Sequence, residues 1–205
     1  MSSIKALLLD ADGVLQRTPS GWLTAVRALC TIPAERDPFL KDLFNAEQAC
    51  LRGQADFRAT LAGVLQRWNS PVPVAEALAL WTQIVPEYEI LETVQAVRQA
   101  GIRTALATNQ NAVRANHMRT ALDYQGGFDQ LFFSCEIGHT KPSDAFFEAV
   151  IDRLQLKPEH LLFIDDHEEN CDAARHCGLK ACRYRLEDGR GHFRTALVDH
   201  GVAIP

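Results

Sequence analysis

The sequence predicts an α/β protein with a doubly wound parallel sheet into which a small bundle of four helices is inserted. Three observations support this fold class. Residues 4–9 form an apolar run without alternation, which is typical of a strand covered on both faces. Residues 22–88 show only helical spacing of apolar side chains. From residue 89 onward, helical and strand patterns alternate, which favours a parallel sheet with helices on both faces.

The composition favours a globular protein and argues against two classes of partner. The chain has 205 residues, of which 47% are hydrophobic and 23% are charged, so it is able to bury a large core. A net charge of -5 argues against a nucleic-acid partner bound through a broad basic face. No apolar run approaches the length of a membrane span, so we expect no membrane partner.

The expected location is the cytoplasm. The first residues lack the pattern of a signal peptide, and the six cysteines are scattered without a CxxC pair. This usage is typical of reduced, mostly buried thiols. The sequence carries no prediction of an oligomeric state.

The insert is expected to hold four helices, because its apolar residues fall into four groups with helical spacing. Prolines and a glycine separate these groups. The groups are Leu23, Val26, Leu29 and Cys30; Phe39, Leu43, Phe44 and Leu51; Phe57, Leu61, Val64, Leu65 and Trp68; and Val74, Leu78, Trp81 and Ile84. We expect a core domain made of residues 1–16 and 87–205, with residues 17–86 as the inserted domain.

The second part of the core is expected to alternate between helix and strand. Strands are predicted at residues 102–107, 131–134, 161–164 and 180–184. Helices are predicted at residues 91–100, from a cap at Asn111 to about 122, from Ser143 through Leu154, at 168–177 and at 192–200.

The first strand ends in two carboxylates, Asp10 and Asp12, followed by Gly13. In open α/β sheets, ligands bind in the crevice outside the carboxyl ends of the strands. A nucleophile and a proton donor at the rim of the sheet are therefore one interpretation of this stretch. The alternative is an ordinary turn, because Asp and Gly are common turn residues.

Three further polar clusters follow, and their order is informative. An acid pair is followed by a hydroxyl at a strand end, a lysine before proline, and a second acid pair at a strand end. The stretches are DADGVL, LATN, HTKP and FIDDHEEN, and they span Asp10 to Asn170. In this order they resemble the four motifs of the haloacid dehalogenase superfamily of phosphotransferases. The resemblance implies that the helical insert is a cap over the active site. We expect the sheet order 5-4-1-2-3.

The resemblance also implies a reaction. Asp10 would be the nucleophile that forms an aspartyl-phosphate, and Asp12 would protonate the leaving alcohol and then activate water. Attack of a carboxylate on a phosphate dianion requires a cation, and Mg²⁺ held by carboxylates suits this task. Dehalogenases of the superfamily lack the second acid, so Asp12 favours a phosphatase or a phosphomutase over a dehalogenase. The expected substrate is a small phosphorylated metabolite, with a sugar phosphate as one candidate.

The strand-end hydroxyl and the lysine have expected roles in charge stabilisation. Thr108 would donate its hydroxyl to the transferring phosphoryl group, and the amide of Asn109 would assist it. The alternative is that Thr108 and Asn109 only cap the next helix. Lys141 would balance the charge on Asp10 and on the phosphoryl oxygens.

The resemblance predicts that Mg²⁺ is held by Asp10, Asp12 and Asp166. The neighbouring Asp165 is expected to hold the lysine or a metal-bound water, and the alternative exchanges the roles of Asp165 and Asp166. Asn170 lies four residues beyond Asp166 and is expected to support the metal ligands. His167 is either a residue at the rim of the site or an exposed histidine.

Substrate choice is expected to lie in the insert. Arg52 falls between two helices of the insert, where the family has a substrate-specificity loop, and it would contact a sugar hydroxyl or a second phosphate. The alternative is a solvated arginine. Arg17 and Trp22 are weaker candidates. Two rival functions remain open at this point: a hexose phosphomutase, and a non-catalytic binding protein on the same fold.

Overall fold

The computed structural model describes residues 3–204 and contains a five-stranded parallel sheet, a separate two-stranded ladder and eleven α-helices within that range. The strands are β1 (Ala6–Leu9), β2 (Gln16–Arg17), β3 (Val85–Pro86), β4 (Arg103–Thr108), β5 (Gln130–Phe133), β6 (Leu161–Asp165) and β7 (Lys180–Arg183). The helices are α1 (Trp22–Ala28), α2 (Arg36–Leu51), α3 (Phe57–Arg67), α4 (Val74–Trp81), α5 (Tyr88–Gln99), α6 (Ala112–Thr120), α7 (Tyr124–Gly127), α8 (Ser134–Ile137), α9 (Asp144–Leu154), α10 (Glu168–His176) and α11 (Gly189–Asp199).

The sheet has the order β5-β4-β1-β6-β7, with every neighbouring pair parallel. When its five strands are numbered along the chain, this is the predicted order 5-4-1-2-3 read from the opposite edge, so the prediction is confirmed. β1 occupies the centre, and all four of its residues are buried. A continuous apolar strand is stable there because both of its faces are covered.

Side chains of β1 point alternately into two helical layers. Leu7 and Leu9 belong to a cluster that includes residues of α5, α6 and α11. Ala6 and Leu8 belong to a second cluster that includes residues of α9 and α10. Helices therefore cover both faces of the sheet, and the predicted doubly wound architecture is confirmed.

Helices α1 to α4 form the inserted bundle and have an apolar core of their own. Its buried side chains include Val26, Phe39, Leu43, Leu61 and Trp81. Asp56 stabilises the start of α3 by accepting a hydrogen bond of 2.7 Å from the backbone N–H of Ala59. The four predicted helices are present. The predicted division into residues 1–16 with 87–205 and residues 17–86 stays a prediction.

The prediction that the insert is helical throughout is wrong at its end. β2 and β3 form an antiparallel ladder in which Gln16 pairs with Pro86 and Arg17 pairs with Val85. Proline is compatible with so short a ladder because it lies at an edge, where no further partner needs its missing N–H. The two connections between core and insert therefore run side by side.

Several element boundaries also differ from the sequence expectation. The helix predicted from residue 91 begins at Tyr88, and the helix predicted from residue 192 begins at Gly189. The short helices α7 and α8 were not predicted, because four residues are too few to show a helical period. Among residues 3–204, no helix combines the length and the apolar character needed to span a membrane.

Candidate active site

The predicted site residues lie where three neighbouring strands end. β1 leads directly into Asp10, β4 ends at Thr108, β6 ends at Asp165, and the loop before α9 contributes Lys141. Asp165 is fully buried. One cavity of about 370 Å³ is lined by the remaining core residues of the prediction, namely Asp10, Asp12, Thr108, Asn109, Lys141, Asp166 and Asn170.

Lys141 is the charged centre of this arrangement. Its Nζ lies 2.8 Å from Oδ1 of Asp10 and 2.6 Å from Oδ2 of Asp165, and its side chain is only 1% exposed. Burial alone lowers the pKa of Lys141, but the carboxylates of Asp10 and Asp165 outweigh burial and raise this pKa above its usual value. The lysine is therefore held as a fixed ammonium between two acids.

Asp10 is a buried carboxylate with competing neighbours. Burial raises its pKa to about 6, the charges of Asp165 and Asp12 act in the same direction, and Lys141 opposes them. A carboxylate in such surroundings is poorly solvated. A cation that reaches its second oxygen would therefore be strongly favoured.

Three carboxylates are close enough to share an ion. Oxygens of Asp10, Asp165 and Asp166 all lie within 4.8 Å of one another. Oδ1 of Asp166 is buried and has no hydrogen-bond partner, which is costly for a polar atom unless a cation or another donor reaches it. Burial raises the pKa of Asp166 as well. Hard oxygen donors of this kind fit Mg²⁺.

The two adjacent acids differ in what they contact. Asp165 accepts hydrogen bonds of 2.9 Å from the backbone N–H of His167 and from Nδ2 of Asn170, in addition to its contact with Lys141. Asp166 has the orphaned oxygen. This difference supports the assignment of Asp166 to the ion and of Asp165 to the lysine, and both assignments stay predictions.

Gly13 makes room for this cluster. It has a φ of +83°, and a Cβ atom built at this position would lie 2.5 Å from Oδ2 of Asp166. The turn after β1 therefore requires glycine both for its backbone conformation and for the close approach of the carboxylate.

The side chain of Asn109 fixes the loop that contains Lys141. Its Nδ2 donates to the carbonyl oxygen of Lys141 and its Oδ1 accepts from the N–H of Lys141, both at 2.9 Å. Oγ1 of Thr108 accepts a hydrogen bond of 3.2 Å from Nε2 of Gln110, which leaves its own hydrogen available for a ligand. Thr108 and Asn109 thus line the cavity beside Asp10, and their catalytic roles stay predictions.

The alternative that Thr108 or Asn109 only caps the following helix is wrong. Asn111 is the N-cap residue of α6, and its Oδ1 accepts hydrogen bonds from the backbone N–H groups of Val113 and Arg114. The expected cap at Asn111 is therefore confirmed.

Asp12 lines the same cavity as Asp10 and Asp166, but its carboxylate is held by a different set of partners. Nη2 of Arg114 lies 2.7 Å and 2.9 Å from its two oxygens, Nε2 of Gln110 lies 2.7 Å from Oδ2, and Nε2 of Gln16 lies 3.0 Å from Oδ1. The Asp12 carboxylate is thus absent from the group that would bind an ion. The metal-binding role expected for Asp12 stays a prediction.

Sequence reasoning missed Arg114, Gln110 and Gln16. A signal for Arg114 exists, because it is a charged residue on the buried face of α6, beside Ala115 and close to Met118. A buried arginine usually has an acidic partner. The identity of that partner depends on tertiary contacts.

The three candidates of the insert differ in how they lie relative to the clustered acids. Arg52 follows the last residue of α2, and its Nε is 3.4 Å from Oε1 of Gln54. It does not line the cavity of about 370 Å³, and its substrate-binding role stays a prediction. Trp22 lines a neighbouring cavity of about 220 Å³, which Asp12 also lines. Arg17 lines the first cavity.

His167 meets both descriptions that the sequence left open. Its side chain is 73% exposed, and it also lines the rim of the first cavity. It lies 3.7 Å from Oδ2 of Asp166.

The fold and the site define a class of hydrolase. The family model that describes haloacid dehalogenase-like hydrolases matches residues 4–178. The chain therefore belongs to the haloacid dehalogenase-like hydrolases, and the resemblance seen in its four motifs is confirmed.

Two curated relatives match almost the whole chain. A phosphorylated carbohydrates phosphatase of Thermotoga maritima is 22% identical over 207 residues, which cover 95% of this chain and 93% of the relative. A glyceraldehyde 3-phosphate phosphatase of Methanopyrus kandleri is 25% identical over 218 residues, which cover 98% of this chain and 91% of the relative.

A solved structure shares the fold. It is a haloacid dehalogenase family enzyme of Bacteroides thetaiotaomicron in complex with magnesium and inorganic phosphate. Its TM-score is 0.78 at 21% sequence identity, over 93% of this chain and 99% of that chain.

Proposed function

We propose that this protein is a magnesium-dependent phosphatase that hydrolyses a phosphate monoester of a small metabolite, with a sugar phosphate as the first candidate. The observation that carries the proposal is the position of the Lys141 ammonium between the carboxylates of Asp10 and Asp165, at 2.8 Å and 2.6 Å. A buried cation beside a nucleophilic carboxylate is what attack on an anionic ester requires.

In the first step, an oxygen of Asp10 forms a bond to phosphorus, and the bond between phosphorus and the ester oxygen breaks. The leaving alkoxide takes a proton from the carboxyl group of Asp12. Lys141 and the hydroxyl of Thr108 stabilise the charge on the transferring phosphoryl oxygens. The products are an alcohol and an aspartyl-phosphate on Asp10.

In the second step, the Asp12 carboxylate takes a proton from a water molecule whose oxygen attacks phosphorus. The bond between phosphorus and Asp10 breaks, which restores the Asp10 carboxylate and releases inorganic phosphate. Asp12 regains the proton it gave up, so the cycle is balanced.

The proposed metal is Mg²⁺. When bound, it would be held by Asp10 and Asp166, with Asp12 as the third predicted ligand, and would neutralise charge on the phosphoryl group. The Asp12 carboxylate lies outside the group of clustered acids, so the structure supports the first two ligands only. The orphaned buried oxygen of Asp166 supports this assignment. Asp165 and Asn170 orient the neighbouring groups through the hydrogen bond of 2.9 Å between them and through the contact of Asp165 with Lys141.

The substrate class rests on Asp12 and on the relatives. An acid two residues after the nucleophile suits an alkoxide leaving group, which needs a proton, better than a halide. The names of the two curated relatives specify phosphorylated carbohydrates and glyceraldehyde 3-phosphate as substrates. Those activities belong to the relatives, and they make sugar phosphates the first substrates to test.

The test is a screen of phosphate release over a panel of phosphate monoesters with Mg²⁺ present. We expect turnover of at least one small ester, and we expect a metal chelator to abolish it and added Mg²⁺ to restore it. Turnover that is indifferent to the chelator would remove the metal from the proposal. The control is the same panel without enzyme but with chelator and Mg²⁺.

Two other results would overturn the proposal. Conversion of a hexose phosphate to its isomer, with less free phosphate than isomer, would identify a phosphomutase. A complete lack of turnover across the panel, with ligand binding retained, would favour a binding protein on this fold.

A further inference from the structure

Arg114 is a buried cation outside the group of residues that the proposed reaction uses. It lies on α6 and is 6% exposed. Burial of a guanidinium is costly unless charged and polar partners compensate it. Its partners are the carboxylate of Asp12, the side chain of Gln110 and the backbone carbonyl of Trp81.

The ion pair between Arg114 and Asp12 is asymmetric in exposure. The Arg114 side chain is 8% exposed, whereas the Asp12 side chain is 43% exposed and lines the cavity beside Asp10. The arginine is therefore the fixed member of the pair. Arg114 therefore determines the orientation of the Asp12 carboxylate in the cavity.

Arg114 itself is anchored on two sides. Its Nε donates to Oε1 of Gln110 at 2.6 Å, and its Nη1 donates to the carbonyl oxygen of Trp81 at 3.0 Å. Trp81 is the last residue of α4 in the inserted bundle. The orientation of Asp12 is thus fixed both from the core and from the insert.

Each oxygen of Asp12 has two donors. Arg114 contacts both oxygens, Gln16 contacts Oδ1 and Gln110 contacts Oδ2. Arg114 supplies two of these four contacts, and it is the only charged donor among the three side chains. An acid or base must lie within hydrogen-bond reach of the atom it serves, so loss of this donor would leave the carboxylate poorly oriented.

We propose that Arg114 is a positioning residue that orients the carboxylate of Asp12 for proton transfer. The proposal rests on the proposed function, in which Asp12 serves the leaving group and the attacking water. Arg114 does not line the cavity of about 370 Å³ beside Asp10. It lines the neighbouring cavity of about 220 Å³ together with Asp12, so its effect on the atoms beside Asp10 passes through Asp12.

The experiment compares two esters that differ in their need for an acid. One is glycerol 3-phosphate, or the sugar phosphate found by the panel, whose alkoxide must be protonated. The other is p-nitrophenyl phosphate, whose leaving group needs little protonation. The variants are Arg114→Met, Arg114→Lys, Asp12→Asn and the double variant Asp12→Asn with Arg114→Met. Arg119→Met is the matched control, because Arg119 also lies on α6 and contacts an acid, Glu136, at 2.7 Å and 2.9 Å.

We expect Arg114→Met to lower kcat and kcat/KM on the alkyl ester at least about tenfold, with a smaller loss of kcat/KM on p-nitrophenyl phosphate and a KM within about threefold of wild type. Asp12→Asn should change the ratio of the two rates in the same direction. The double variant should be no slower than Asp12→Asn, because both substitutions remove the same function, proton transfer by Asp12. Arg114→Lys should recover part of the loss, and Arg119→Met should stay within about twofold of wild type on both esters.

Equal losses of kcat/KM on both esters, a quantity that reports only the step that expels the leaving group, or losses that multiply in the double variant, would show that Arg114 is only structural. If Asp12→Asn behaves as expected while Arg114→Met matches Arg119→Met, this inference alone is wrong. If the wild type hydrolyses neither ester, or Asp12→Asn changes nothing, the proposed function is at fault and the inference falls with it. Arg114→Lys decides the outcome if Arg114→Met does not fold.

Discussion

Asp10 and Asp12 are separated by one residue, yet their carboxylates lie in two different environments. Asp10 faces the core, where its side chain is 10% exposed and contacts the buried ammonium of Lys141. Asp12 faces the boundary with the insert, where its side chain is 43% exposed and contacts Arg114. In an extended strand, residues two positions apart point to the same side, so the turn after β1 must rotate the second acid.

This difference divides the site into two halves. The half around Asp10 is built from strand ends of one sheet, whose register is fixed by the backbone ladder. The half around Asp12 depends on α6 and on the end of α4, which belong to two packed bodies. The half that would form the covalent bond lies within the core, and the half that would move protons also depends on how the insert packs against the core.

The largest expected effect is on the nucleophile. Asp10→Asn should lower kcat by at least about 10³-fold on every ester, because an amide oxygen does not form the phosphorylated intermediate. Phosphate release and a far-UV circular dichroism spectrum of the same sample would measure activity and fold. Retained turnover would exclude Asp10 as the nucleophile.

A more selective effect on the rate is expected when Asp12, the proposed proton donor, is replaced. Asp12→Asn should slow an alkyl phosphate by about 10² to 10⁴-fold, and it should slow p-nitrophenyl phosphate less. The ratio of the two rates in steady-state assays measures this selectivity. Identical losses of kcat/KM on the two esters would remove the distinction between the two halves of the site, because this quantity reports only the step that expels the leaving group.

Substitutions of the adjacent acids Asp165 and Asp166 should have different effects, the first on the stability of the protein and the second on its affinity for Mg²⁺. Asp165→Asn leaves the buried Lys141 with one acidic partner, so we expect a loss of about 3–5 kcal/mol in the free energy of unfolding. Asp166→Asn should leave stability nearly unchanged and raise the Mg²⁺ concentration for half-maximal rate at least about tenfold. Urea unfolding and a Mg²⁺ titration of the rate measure the two quantities. The opposite pattern would exchange the roles of the two acids.

The smallest expected effect concerns Glu47, a buried acid of the insert. Its Oε1 accepts hydrogen bonds from Nε1 of Trp81 at 3.0 Å and from Nδ2 of Asn111 at 2.7 Å, and burial raises its pKa. Because the pKa of Glu47 is higher in the folded than in the unfolded protein, proton binding to Glu47 stabilises the fold. This stabilisation is present at low pH and is lost as the pH rises through the folded-state pKa.

The glutamine in Glu47→Gln does not titrate. We therefore expect the free energy of unfolding of the variant, relative to that of the wild type, to rise by about 1 kcal/mol between about pH 4 and about pH 8. Thermal unfolding over this pH range measures the difference, and Glu92→Gln, at an exposed position on α5, is the control. Parallel curves for wild type and Glu47→Gln would contradict a raised pKa of Glu47 in the folded protein.

Much of the fold, and the half of the site around Asp10, followed from local sequence patterns. The apolar run before Asp10 and the apolar run before Asp165 each specify a buried strand and the polar pair at its end. Because parallel strands end at one edge, these patterns also predict which acids meet. The contact between Asn109 and the backbone of Lys141 was not predicted, although both residues were expected in the site.

The other half could not be predicted for a physical reason. Arg114 and Asp12 are 102 residues apart in the chain, and no local period links them. Their contact depends on how α6 packs against the turn after β1 and against the end of α4. The ladder between β2 and β3 was missed in the same way, because two-residue strands have no alternation to recognise.

The pairing of Gln16 with Pro86 and of Arg17 with Val85 has an evolutionary consequence. The chain leaves the core and returns to it at neighbouring points, so a segment of different length or sequence fits between the same two anchors. Exchange of that segment would alter which molecules reach the acids without shifting the strands that hold them. In this architecture, selectivity is therefore free to change while Asp10 keeps its place, whereas a new insert must still supply the carbonyl oxygen that Arg114 contacts.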